Sequence, residues 1–147
     1  MKIERLELAN VDVKNLDEAV KRFSDILGLT FVNAPIVKGE EKTITEHADR
    51  AFEKTKLKKV AMDRRGFLAL IESDPPVEKE GLRNIHFKVP NLEEAKAEMK
   101  RKGVRLLTEF KAGRLKNAIF HPDDVHGIRL CLHEYEAPTP VDAMLQE

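Results

Sequence analysis

Two stretches of the chain carry chemically active side chains at every second position: Asn84, His86 and Lys88 in one, Arg129, Cys131 and His133 in the other. In an extended strand, alternation of this kind sets each trio on a single face. The residues between them, Ile85, Phe87 and Val89 in the first and Ile128, Leu130 and Leu132 around the second, are apolar and suit a face packed against helices. The polarity is therefore one-sided. Near the start of the chain, Leu8, Asn10 and Asp12 share one face of a third strand whose other face is Ala9, Val11 and Val13. His86 is the candidate catalytic residue, because an imidazole titrates near neutrality and could accept a proton from a carbon acid or orient a ligand. The alternative role for it is a hydrogen bond to Asn10 or Asp12. Cys131 would be nucleophilic only as a thiolate favoured by Arg129 or His133; otherwise a lone strand cysteine is a small buried hydrophobe. Lys88 and Arg129 would favour a carboxylate or phosphate, with Asp12 placed to offset Lys88. No phosphate-binding glycine loop, Ser/His/Asp signature or Cys-x-x-Cys pair is present.

The elements that position these residues come from a repeat. Val13-Lys14-Asn15-Leu16-Asp17-Glu18-Ala19 recurs as Val89-Pro90-Asn91-Leu92-Glu93-Glu94-Ala95, and each copy continues in a helical pattern to Gly28 or Gly103. Asn15 with Glu18, and Asn91 with Glu94, have the spacing of a capped helix start. Leu16, Ala19, Val20, Phe23, Ile26 and Leu27 form the apolar stripe of the first helix. Strands are expected at residues 3–13, 29–37, 57–63, 67–72, 82–89, 105–110, 115–120 and 127–135, with Arg64-Arg65-Gly66 as a tight turn. The order is βαβββ, twice. A duplicated unit of this size predicts one pseudo-symmetric domain over residues 1–147, with a cavity between a module at 1–72 and a module at 81–136. Residues 73–80, containing Pro75-Pro76, are the hinge, and 137–147 form a tail whose Val141, Met144 and Leu145 either pack back as an amphipathic turn or fray. The stretch at 43–56, made of Thr43-Ile44-Thr45-Glu46 and a charged segment that reads as helical up to Lys56, has no counterpart in the second copy.

Composition sets outer limits. The 147 residues are 41% hydrophobic, enough for one real core. The 26 basic and 26 acidic residues cancel, which gives no reason to expect nucleic acid or an anionic membrane as partner. One cysteine permits no internal disulfide, and no apolar run reaches membrane-spanning length, so a cytoplasmic protein is expected. His121 and His126 fall in a turn with Pro122 and Gly127, where local hydrogen bonding is their ordinary use, and His47 reads as a solvated residue of the charged stretch.

The tandem βαβββ pattern, the Asn-Leu-Asp/Glu-Glu-Ala helix starts, Ile26-Leu27-Gly28-Leu29 and the segment from Gly81 to Val89 resemble the vicinal oxygen chelate superfamily. That superfamily includes glyoxalase I, methylmalonyl-CoA epimerase, extradiol dioxygenases and bleomycin-resistance proteins. The loop from His121 to Ile128 is most similar to that of the methylmalonyl-CoA epimerases. The resemblance spans nearly the whole chain and implies an α+β glyoxalase-like fold: tandem βαβββ modules forming a curved, partly closed mixed sheet around a cavity. It also implies a lyase, isomerase or dioxygenase with one divalent metal, held by the first and last strands of each module. Carried over, the four metal positions fall on Leu8, Ala69, Asn84 and Cys131, a set without a histidine or carboxylate. A shift of two residues along each strand would instead bring up Asn10, Ile71, His86 and His133, with Asp12 nearby.

In the superfamily's register the cavity-facing set is Asn10, Asp12, Phe67, Asn84, His86, Lys88, Arg129, Cys131 and His133, beside Leu8, Ala69 and Ile71. The expectation is a homodimeric protein with no metal and no cofactor, which binds a small organic ligand, anionic or aromatic, in this cavity. The competing expectations are an enzyme with a displaced metal site at His86 and His133, a metal-free acid–base enzyme using His86, and an interaction module whose cavity is filled.

Overall fold

The computed structural model describes residues 1–35, 42–48 and 56–146. The described strands form one mixed sheet in the order β2-β4-β5-β1-β6-β9-β8-β7-β3. They are β1 Arg5–Asp12, β2 Phe31–Asn33, β3 Lys42–Ile44, β4 Lys56–Asp63, β5 Leu68–Asp74, β6 Gly81–Lys88, β7 Leu106–Ala112, β8 Leu115–Phe120 and β9 Leu130–Glu134. Helices α1 Leu16–Leu27 and α2 Leu92–Arg101 follow the first strand of each half, and α3 Pro140–Leu145 ends the described chain. The halves repeat one order about the antiparallel β1–β6 seam, with β1 parallel to β5 and β6 parallel to β9.

Both helices start where the repeat places them. Asn15 and Asn91 accept hydrogen bonds on their side-chain oxygens from the Glu18 and Glu94 amides, each at 3.1 Å. Leu16, Ala19, Val20 and Phe23 of α1 pack on Val13, Ala61 and Leu70. Leu92, Ala95 and Met99 of α2 pack on Val89, Ala118, Phe120 and Leu132. Ile26 and Leu27, expected on the same stripe, are instead exposed, and the packed part of α1 ends with Phe23. With the convex face covered in this way, the polar face of β1, β6 and β9 turns to the concave side.

The start of the unmatched stretch, ahead of the part expected to be helical, forms β3, which pairs antiparallel with β7 of the second half. Thr45 Oγ1 donates to the Leu106 carbonyl at 2.5 Å and Thr108 Oγ1 to that of Thr43 at 2.6 Å, and these bonds fix an edge that local helix propensity could not foresee. Residues 49–55 of that stretch, and 36–37 of the expected second strand, lie outside the described residues. β2 and β3 are consecutive strands at opposite edges of the sheet. Nine residues of chain from Asn33 to Lys42 reach at most about 32 Å. Eight interstrand gaps laid flat would separate the edges by about 38 Å. The sheet must curl, and the molecule is a half-barrel whose hollow faces both modules.

Candidate functional site

The hollow is shaped by an irregularity in β1. Glu7 pairs with His86 and Asn10 with Asn84, so Leu8 and Ala9 together oppose Ile85 of β6: a β-bulge. Leu8 takes a φ of 48°, a left-handed conformation that costs a leucine about 1–3 kcal/mol. The bulge resets the alternation, so that Glu7 lies on the same face as His86 while Leu8 and Asn10 still line the hollow.

Glu7 organises a buried network. Its Oε1 accepts from the Tyr135 hydroxyl and from His133 Nε2, both at 2.6 Å, and its Oε2 accepts from Arg5 Nε at 3.0 Å. Arg5 Nη2 also donates to the Tyr135 oxygen at 2.9 Å. Burial acts to raise the Glu7 pKa, but the hydrogen bonds from His133 and Tyr135 and the charges around it outweigh burial, leaving the carboxyl below the usual range. Burial, and then the bond to Glu7, push the Tyr135 hydroxyl up, so it remains a donor. Lys88 Nζ sits 4.1 Å from the centre of the Tyr135 ring and 3.5 Å from Glu4 Oε2.

His86 and His133 stack with ring centroids 5.2 Å apart and an angle of 28° between their planes. His86 Nδ1 lies 2.9 Å from the Leu8 carbonyl. A carbonyl only accepts, so Nδ1 carries the proton and Nε2 is left as an acceptor. Burial, reinforced by the neighbouring His133, depresses the His86 pKa to about 3. A ring so weakly basic is a neutral hydrogen-bonding group near pH 7 and a poor general base. His133 is fully buried, its Nε2 engaged by Glu7 and its Nδ1 without a partner among the described residues.

Between these groups and the first module lies a cavity of about 90 Å³. Its polar lining is Asn10, His86, Asn117 and His133, and the rest is apolar, including Leu8, Met62, Ala69, Ile71, Phe110 and Met144. Buried side-chain atoms that find no hydrogen-bond partner include four on the cavity lining, namely Asn10 Oδ1, both amide atoms of Asn117 and His133 Nδ1, and Asn84 Oδ1 on the same sheet outside the lining. Asn117 lies beside the Cys131 thiol, itself a weak partner.

Of the sequence-derived cavity residues, Asn10, His86 and His133 line the cavity and Asn84 and Cys131 are buried on the same sheet. Burial pushes Cys131 up to about 12, which keeps it a thiol rather than a nucleophile. Asp12 is held by Arg83 Nη1 at 3.1 Å, not by Lys88. Phe67 does not line the cavity: it precedes β5, which begins at Leu68, and is 55% exposed. Arg129 precedes β9 and lies outside the cavity lining. Glu7, Tyr135 and Asn117 were not legible as site residues, although Glu7 stands one position before the expected Leu8 station. His121 accepts from the Asp123 amide at 3.1 Å, the local turn role expected of it.

The curled sheet with its paired modules has the glyoxalase-like fold of the vicinal oxygen chelate superfamily. Solved structures similar to it include methylmalonyl-CoA epimerases. The enzyme from Streptomyces coelicolor in complex with 2-nitronate-propionyl-CoA superposes with a TM-score of 0.68 at 19% identity, over 94% of this chain and 99% of that one. A methylmalonyl-CoA epimerase in complex with methylmalonyl-CoA and NH4+ gives 0.67 at 20% identity, over 95% and 100% of the two chains. The Mycobacterium tuberculosis enzyme gives 0.68 at 16% identity, over 92% and 90%. No family model and no curated protein sequence matches the chain. Likeness at such identities establishes the fold, while function has to be argued from the site.

Proposed function

We propose that the protein binds a small, uncharged organic molecule bearing a hydrogen-bond donor in the hollow of its sheet, without the divalent metal of its structural neighbours' superfamily. The observation that carries this reading is the set of unpartnered buried polar atoms on the lining residues Asn10, Asn117 and His133. Each such atom costs about 1–3 kcal/mol when left unsatisfied, so a cluster of them beside a cavity marks a place where a ligand completes the hydrogen bonds. Most of these atoms, with His86 Nε2, are acceptors. Three cations on β1 and β6 are committed to carboxylates: Arg5 to Glu7, Lys88 to Glu4 and Arg83 to Asp12. A ligand hydroxyl or amide N–H suits this lining better than a carboxylate does.

The donor set does not fit a divalent ion. The superfamily's four stations hold Leu8, Ala69, Asn84 and Cys131, of which two have no donor atom and one is a thiol held at about 12. In the displaced set of Asn10, Ile71, His86 and His133 the expected carboxylate, Asp12, is held by Arg83, and the carboxylate beside the histidines is Glu7 instead. Both Glu7 oxygens are already hydrogen-bonded, a guanidinium lies against them, and the two imidazoles stack rather than converge. Among the described residues no three His, Cys, Asp or Glu side chains are grouped to hold a metal.

Titration calorimetry with phenol, benzamide and benzoate tests the reading: phenol and benzamide should bind, and benzoate should not. Preference for benzoate, or stoichiometric metal in untagged protein that is lost in His86→Ala, would refute it.

One observation favours a second, catalytic reading. Glu7 orients His133 through a 2.6 Å bond, which leaves Nδ1 as the ring nitrogen able to accept a proton from a carbon acid in the cavity. Catalysed deuterium exchange into acetone, lost in His133→Asn, would establish it, and exchange at the buffer rate would exclude it.

A further inference from the structure

The cavity is small because the chain fills its own hollow. Helix α3 lies across the concave face and touches both modules. Val141 packs with Leu8, Val60, Met62, Ala69 and Ile71, while Ala143 packs with Leu115 and Tyr135. Met144 forms part of the cavity lining itself. Two glycines make room for the helix: a Cβ on Gly66 would stand 2.6 Å from the Pro140 ring, and one on Gly113 would collide with the carbonyls of Ala143 and Met144. What remains is about 90 Å³. An engineered cavity that admits benzene measures about 150 Å³.

The attachment of α3 is slight in kind. The helix has six residues, too few to persist undocked, and it hangs from Ala137-Pro138-Thr139. Its backbone tie to the sheet among the described residues is the Arg114 amide donating to the Ala143 carbonyl at 2.9 Å. Its start is capped by Thr139, whose Oγ1 accepts from the Asp142 amide at 3.1 Å. Burial of Val141 and Ala143 holds it down, and those contacts cover the surface a larger ligand needs.

We propose that α3 is a displaceable plug: a ligand of benzene size or larger enters the hollow only when α3 lifts, so docking of the helix sets the apparent affinity of the site. This rests on the reading that the hollow is a ligand site. A ligand that selects the lifted state has its affinity reduced by the fraction of molecules in that state.

Phenol is the probe, used on the full chain. Thr139 lies outside the cavity, so Thr139→Ala weakens the helix without touching the ligand. Loss of such a cap raises the lifted population about fivefold, and phenol should bind about fivefold tighter. Thr139→Ser keeps the cap and should match the parent. In the unmodified protein, saturating phenol should accelerate hydrogen exchange at the Arg114 amide, which loses its Ala143 partner when α3 lifts. Equal affinity in Thr139→Ala together with slowed or unchanged Arg114 exchange would overturn the plug, with the ligand site intact. Failure of every form to bind phenol would overturn the ligand site, and the plug with it.

Discussion

Acidification from about pH 7 to about pH 4.5 should remove roughly 3 kcal/mol of stability through His86 alone. The folded ring is enclosed and keeps its lone pair down to a pKa of about 3, chiefly because burial opposes the charge and secondarily because His133 lies against it. The unfolded ring takes up its proton near pH 6.5. Between those values the unfolded chain binds more protons than the folded one, so stability falls as the pH falls, and the contribution is whole only above about pH 6.5. At about 1.4 kcal/mol per unit, descent from 6.5 to 4.5 is worth roughly 2.7 kcal/mol, and the full window down to 3 nearly 5 kcal/mol. The comparison stops at about 4.5 because Glu7, whose pKa is held low, begins to lose its own contribution below that. The perturbation is His86→Gln, which keeps a donor and an acceptor but does not titrate. Urea unfolding of both proteins across this range should show the parent losing about 3 kcal/mol more than the variant, with equal m-values. Parallel losses in the two proteins would refute the assignment of a neutral, proton-refusing imidazole to the floor of the hollow.

Asn117→Leu should stabilise the protein by about 1–3 kcal/mol by removing two buried, unsatisfied atoms, while abolishing phenol binding; denaturant unfolding and calorimetry read the two effects. Glu7→Gln should cost on the order of 2–4 kcal/mol, since Tyr135, His133 and Arg5 all lose a charged partner, and the loss is measured as a lower urea midpoint. Gly66→Ala should destabilise by about 1–3 kcal/mol, combining a φ of 81° with the collision against Pro140, and should lower the melting temperature. Millimolar zinc, cobalt or manganese should leave the melting temperature unchanged, as a thermal scan will show.

The architecture was legible because the repeat encodes it locally. Asn15 and Asn91 cap their helices as their spacing to Glu18 and Glu94 implies, and His86 of β6 and His133 of β9 line the hollow. The site was only half legible. Strict alternation through Leu8 assigns Glu7 to the outer face, and a bulge at a leucine with positive φ has no sequence marker, since glycine or asparagine would be the expected residue. Tyr135 and Arg5 were missed for the same reason: they matter only through Glu7. Asn117 belongs to a strand whose inner face could be aligned only after its pairing with His133 was known. Strand β3 was missed because its partner lies more than sixty residues away, and three residues carry too short a pattern to reveal such an edge.

The pairing of β3 with β7 ties the first half of the chain to the far rim of the second. A fragment ending at the hinge would carry a strand with nothing to pair with, and a fragment starting there would present β7 as a raw edge, open to pairing with other chains. The sequence repeats, yet the folded chain does not divide at the boundary of the repeat. The two halves should therefore melt together, in a single calorimetric transition whose van't Hoff and measured enthalpies agree.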